Sequence, residues 1–142
     1  MIAAMGNECL LMRTRLIARV ISGMYDERLR GLKISSSQFG LLVAIYQIQP
    51  ATRADIGRRL HLDKSTLTRH LKMVLSEGWV EETPYGADGR SRPIVLTGPG
   101  IDLLRKAEPA WQAAQAETKE LLGRDGLIAL IEIADRIMGP TV

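Results

Sequence analysis

The sequence predicts a mainly α-helical fold broken by one small β-hairpin, and three observations carry that prediction. Apolar residues recur at three- and four-residue spacing along most of the chain, the period of an amphipathic helix. Helix-start residues precede four of these periodic runs, at Ser35, Thr52, Asp63 and Thr97. Two short runs, 79–83 and 93–97, read as strands around a stretch rich in Pro, Gly and Asp. A length of 142 residues with 46% apolar content fits one domain, residues 1–142, with a real core. With one Phe, two Trp and three Tyr, that core has to be aliphatic.

After a short frayed start, Asn7 to Arg30 reads as a long helix with an apolar seam through Leu10, Leu16, Ile17, Val20, Ile21, Met24 and Leu29. Arg13, Arg15 and Arg19 on the same helix are simplest as solvated charge. Gly31 is expected to end it as a left-handed residue. The next helix has the clearest start, because Ser35 and Gln38 form a capping box and Ile34 and Phe39 stand at the staple positions. It is expected to run to about Gln49, where Pro50 stops it. Leu41, Leu42, Ile45, Tyr46 and Ile48 surround it with apolar side chains, which predicts a helix buried on several sides.

From Thr52 to Gly78 the sequence reads as two helices joined by a very short turn. Thr52 and Asp55 make a capping box with Asp in place of Glu or Gln, and Ile56 and Leu60 give the first helix an apolar edge. Asp63 caps the second, with Leu62 and Leu67 as a staple. At about 100° per residue, Leu67, Leu71, Val74 and Leu75 fall on one face and Ser65, Arg69 and Lys72 on the other. The whole chain carries a net charge of +3. Within residues 52–76, Arg53, Arg58, Arg59, Lys64, Arg69 and Lys72 face only Asp55 and Asp63, so this segment holds +4 and the remainder −1. A local basic field on a helix pair joined by a tight turn fits a DNA-reading helix-turn-helix, whose second helix enters the major groove. An ordinary helical hairpin with a solvated face fits the same residues.

Trp79 to Thr83 and Pro93 to Thr97 then form a hairpin around the basic loop 84–92, placed where a wing would follow a helix-turn-helix. Thr97 starts another helix with Pro99 in its first turn, and Ile101, Leu104, Ala107, Trp111 and Ala114 give it an apolar face. Pro109 is expected to kink or interrupt this helix. Gly123 closes it, and Leu127 to Met138 make a final amphipathic helix. The terminal helices carry more apolar surface than a small core can absorb. Two copies pairing through residues 1–34 and 98–142 would bury it and set two recognition helices roughly 34 Å apart, about one turn of DNA. Residues 35–97 then form the helix-turn-helix lobe.

No secretory signal opens the chain, no apolar run approaches the ~20 residues that span a bilayer, and the single cysteine excludes an internal disulfide. These features point to a cytoplasmic protein. His61 and His70 have no accompanying nucleophile or metal-ligand spacing, so no enzyme, metal or cofactor is expected.

The order of elements, with Ser37-Gln38-Phe39-Gly40-Leu41-Leu42, Leu62-Asp63-Lys64-Ser65-Thr66-Leu67-Thr68-Arg69, Asp88-Gly89-Arg90, Leu96-Thr97 and Gly100, resembles the multiple antibiotic resistance regulator (MarR) family of winged-helix transcription factors. The resemblance covers nearly the whole chain. It implies a homodimer that binds a pseudo-palindromic operator, usually as a repressor, and is released by a small ligand or by oxidation. It places Ser65, Thr66, Thr68 and Arg69 at base edges, Lys72 at phosphate, and Arg90 in the minor groove with Asp88 bracing it; Arg92 in the basic loop is a further candidate DNA contact. Arginine suits both tasks, through bidentate bonds to guanine and through attraction to a narrow minor groove. Ser65 and Thr66 serve equally well as helix-start residues without touching a base.

Two inputs are open. Cys9 lies early in the first helix, where peroxide sensors of this family place a reactive thiol; a cysteine is also a small hydrophobe. A small aromatic ligand in a cleft near Met12, Leu16, Tyr46 and Trp111 is the other route, and each of those residues serves equally as core. A winged helix used only for protein contacts, with no operator, is the alternative function.

Overall fold

All four expected helix starts close through side-chain bonds, and these fix where the helices begin. In the computed structural model, which describes residues 1–84 and 92–139, the order is α1 (Ile2–Glu8), α2 (Leu10–Leu29), a 3₁₀ turn (Arg30–Leu32), α3 (Ser36–Ile48), α4 (Arg53–Leu60), α5 (Lys64–Ser76), β1 (Val80–Glu82), β2 (Ile94–Leu96) and α6 (Gly98–Met138). At α3 the Gln38 N–H donates to Ser35 Oγ at 3.1 Å while the Ser35 N–H donates back to Gln38 Oε1 at 2.9 Å. Thr52 and Asp55 make the same reciprocal pair at α4, at 3.1 and 3.0 Å. The Gly100 N–H donates to Thr97 Oγ1 at 3.2 Å to start α6.

The N-terminal region departs from expectation. Residues 2–8 are helical rather than frayed, and the chain breaks at Cys9, which is extended (φ −66°, ψ 114°). The Arg13 guanidinium donates to the Asn7 carbonyl across this break, satisfying one of the acceptors that the end of α1 leaves open, so Arg13 is not simply solvated charge. At the other end of α2, Gly31 is not the left-handed residue. The chain tightens into the 3₁₀ turn and Lys33 takes the left-handed conformation instead (φ 57°), its N–H bonded to the Arg30 carbonyl.

The core lies where α3, α4, α5, the hairpin and the start of α6 converge. Leu42, Ile45, Ile56, Leu71, Val74 and Ile94 are fully buried there. Tyr46 is 55% exposed, so α3 has an open side that its apolar sequence does not announce. The hairpin pairs Val80 with Leu96 and Glu82 with Ile94, and its strands are shorter than the runs 79–83 and 93–97 suggest. Ala51 adds a third rung that the sequence does not mark: its N–H and carbonyl bond the Ile94 carbonyl and N–H at 3.2 and 2.8 Å. With the Leu96 N–H donating to Gln49 Oε1 at 2.9 Å, this ties the hairpin to the segment that opens α4.

Helix α6 runs through Pro109 without leaving helical φ/ψ, so the expected interruption does not occur. Pro109 is exposed, and the Arg105 carbonyl that loses its partner lies on an exposed stretch, where water can satisfy it. The break comes at Gly123, where the sequence closes the segment (φ 69°, ψ 176°), a conformation that glycine adopts without a Cβ clash. Against α6, α2 places Arg28 on Glu117 and Tyr25 on Gln115. No helix among the described residues is long and apolar enough to cross a membrane.

Candidate nucleic-acid interface

Helix α5 is held down by one face and open on the other. Leu67, Leu71 and Val74 are buried and Leu75 half-buried, while Ser65, Thr68, Arg69 and Lys72 are exposed. Met73, unmarked in the sequence reading, joins the outer face at 50% exposure. The turn before α5 is tight because His61 adopts a left-handed conformation (φ 52°) and the Leu62 N–H reaches back to the Gly57 carbonyl at 3.0 Å. This geometry projects the start of α5 outward.

Asp63 organises that start. Its carboxylate accepts from the Thr66 N–H at 2.7 Å, Ser65 Oγ at 2.8 Å and Thr66 Oγ1 at 3.0 Å. The backbone donor first, and then the two hydroxyls, hold its pKa down at about 2. Ser65 and Thr66 thus spend their hydroxyl protons on the cap and keep only lone pairs for a base donor. Thr68 donates to the Lys64 carbonyl at 2.8 Å, which leaves its methyl and one acceptor outward. Among the described residues Arg69 makes only a long contact, 3.4 Å, from Nη2 to Thr66 Oγ1, so most of its donors face outward.

A groove runs between α4 and α5 beside this start, lined by Arg53, Arg58, His61 and Lys64 together with Leu62 and Leu67. Arg53, Arg58 and Lys64 belong to the charge excess at 52–76, but the sequence reading gave them no individual role. What could have found them is their place next to the two caps, Arg53 after Thr52 and Lys64 after Asp63. Arg92 is exposed two residues before β2; Asp88 and Arg90 lie outside the described residues. No group of three or more His, Cys, Asp or Glu among the described residues is placed to hold a metal ion.

The model of the MarR family matches residues 34–91, from the start of α3 to the hairpin. The chain is 30% identical to the M. tuberculosis transcriptional regulator MOSR, solved in complex with DNA, covering 90% of this chain and 95% of that one with a TM-score of 0.76. The chain belongs to the MarR family. A cysteine-to-serine variant of MarR from E. coli, solved with operator DNA, shares the fold at a TM-score of 0.80, with 24% identity over 94% of this chain and 97% of that one. Among curated relatives, the HTH-type transcriptional regulator YwoH of Bacillus subtilis (strain 168) is 32% identical over 91 residues, 64% of this chain. The match spans 66% of that relative's own length, and 63% of a second from the same organism.

In this MarR family chain the expected input residues fall in different places. Tyr46 and Trp111 share a cleft of about 410 Å³ between α3 and α6, together with Phe39, Val43, Ile101 and Leu104. Arg105 and Glu108 supply charged groups at its wall, which the sequence reading did not single out. Met12 and Leu16 do not line it; they lie 57% and 59% exposed on α2. Cys9 is half-buried at the α1–α2 break.

Proposed function

We propose that the chain is a sequence-specific DNA-binding transcriptional regulator that works as a homodimer on a pseudo-palindromic operator in the cytoplasm, usually as a repressor. The observation that carries this reading is α5 itself: three buried apolar side chains anchor it while Arg69, Lys72, Ser65 and Thr68 stand outward. An α-helix presented this way fits the major groove, with Arg69 offering bidentate donors to guanine and Lys72 a point charge to phosphate. Arg90 of the wing, braced by Asp88, is assigned to the adjacent minor groove, and Arg92 to a further DNA contact.

The dimer is supported by apolar surface on both terminal helices. Leu10, Leu16, Ile131 and Ile137 are 75%, 59%, 51% and 60% exposed, and α1 buries nothing. Patches of this kind mark association surfaces. A two-fold pair presents two copies of α5 to two half-sites, and the role assigned is binding rather than catalysis.

Release by a small aromatic ligand is favoured by the Tyr46–Trp111 cleft, which is mostly apolar with Arg105 and Glu108 in its lining, as ligand sites are. Oxidation of Cys9 is the second route, and Cys9→Ser separates the two by abolishing any response to organic peroxide alone. The reading is tested by a gel shift on the DNA upstream of the protein's own gene across a salt series. A shifted complex whose affinity falls with a slope near −0.9 per phosphate contact supports it. A protein that shifts no such fragment, yet pulls down a protein partner, is the interaction module instead.

A further inference from the structure

Two of the cations that line the α4–α5 groove are already occupied. Arg58 is paired with Asp55 on its own helix, while Arg53 reaches out of its helix to Glu82, the last residue of β1. Lys64 makes no ion pair among the described residues. The Arg53–Glu82 pair joins the first residue of α4 to the strand leading into the wing, so its first reading is a strap that holds the hairpin in place. The backbone argues against that need. Ala51 already pairs with Ile94 through two backbone bonds, Gln49 holds the Leu96 N–H, and Thr97 Oγ1 donates to the Gly78 carbonyl at 2.6 Å. Side-chain exposures of 47% for Arg53 and 28% for Glu82 leave the pair within reach of water, where an ion pair adds little to folding. What Glu82 does change is the charge of the groove.

We propose that Glu82 restrains DNA affinity by holding Arg53, which exchanges this carboxylate for a backbone phosphate when a duplex seats against the α4–α5 groove. This rests on the DNA-binding reading above. The groove flanks the start of α5, so a phosphate there borders the major groove that α5 enters. Arg53 is then a phosphate contact and Glu82 its competitor, setting how tightly any sequence is held and leaving base choice to α5.

The test compares the full-length wild type with Glu82→Gln, Arg53→Ala and the double variant, by fluorescence anisotropy on an arbitrary duplex across a salt series, with thermal melts. Glu81→Gln is the control, since it removes the same charge from the neighbouring exposed residue. Glu82→Gln should bind about two- to fivefold tighter, the scale of an exposed ion pair, with an unchanged melting temperature. Arg53→Ala should lose about 0.9 from the salt slope, and Glu82→Gln should add nothing in that background. Equal gains from Glu81→Gln, a gain that persists without Arg53, or a lower melting temperature with no gain in affinity overturn the proposal and leave DNA binding intact. Failure of every variant and the wild type to bind duplex at low salt overturns both.

Discussion

Gly100 shows how much one residue can carry at the join between wing and α6. A Cβ built there would lie 2.0 Å from the Trp79 carbonyl oxygen, a backbone atom that cannot step aside because its oxygen also accepts the Thr97 N–H at 3.0 Å. Gly100→Ala should therefore destabilise the protein by about 1–3 kcal/mol or more, the usual cost of overpacking, read as a lower melting temperature. Asp63 gives a prediction in pH. Its folded pKa of about 2 lies below the ordinary 3.8, so its cap is fully present above pH 4 and is lost as pH falls through 2. The protection of the Thr66 amide, measured against its intrinsic exchange rate at each pH, should hold at pH 4 and fall toward pH 2. Arg69→Ala should relax base preference at one position per half-site by about 1–3 kcal/mol if its contact is bidentate, seen in the sequences that each protein selects. Asp63 was legible in the sequence because a cap acts over three residues. Gly100 appeared there only as one residue of a family resemblance, because its physical reason, the Trp79 carbonyl, is brought to it by the hairpin.

At the scale of elements, the same contrast explains what the chain shows on its face. The starts of α3, α4, α5 and α6 follow from Ser35, Thr52, Asp63 and Thr97, each of which bonds a neighbour three positions on. The inner face of α5 follows from the spacing of its leucines. Helix ends were harder. Lys33 rather than Gly31 turns left-handed, and α6 passes through Pro109 unbroken, although it does break at Gly123 as its sequence suggests. A proline costs a helix only the bond it removes and the crowding it causes, and an exposed site can absorb both. The Ala51–Ile94 rung was invisible because a single bridge has no periodicity to read. Since the α6 backbone is already helical at Pro109, Pro109→Ala should restore the bond to the Arg105 carbonyl and raise stability by up to about 3 kcal/mol, measured by denaturant titration. The cleft between α3 and α6 was half legible: Tyr46 and Trp111 meet there, while Met12 and Leu16 sit elsewhere on α2.

At the scale of the molecule, one core supports the helix-turn-helix and hairpin, and the terminal helices stand out from it with apolar side chains in water. Among residues of α2, only Leu29 is buried, and the part of α6 beyond Gly123 buries none of its described residues. A second copy is the simplest cover for such surfaces. Leu16→Glu combined with Ile131→Glu should convert a dimer to a monomer in light scattering and weaken operator binding by more than tenfold, because two linked half-sites gain from each other's effective concentration. The central claim is that paired copies of α5 read a DNA sequence. Selection from a pool of random duplexes by the full-length protein tests it most directly. The account predicts enrichment of a two-fold-symmetric motif whose half-sites lie about 10 base pairs apart, centre to centre. A pool that stays random after repeated rounds, while the protein remains folded and dimeric, would contradict it.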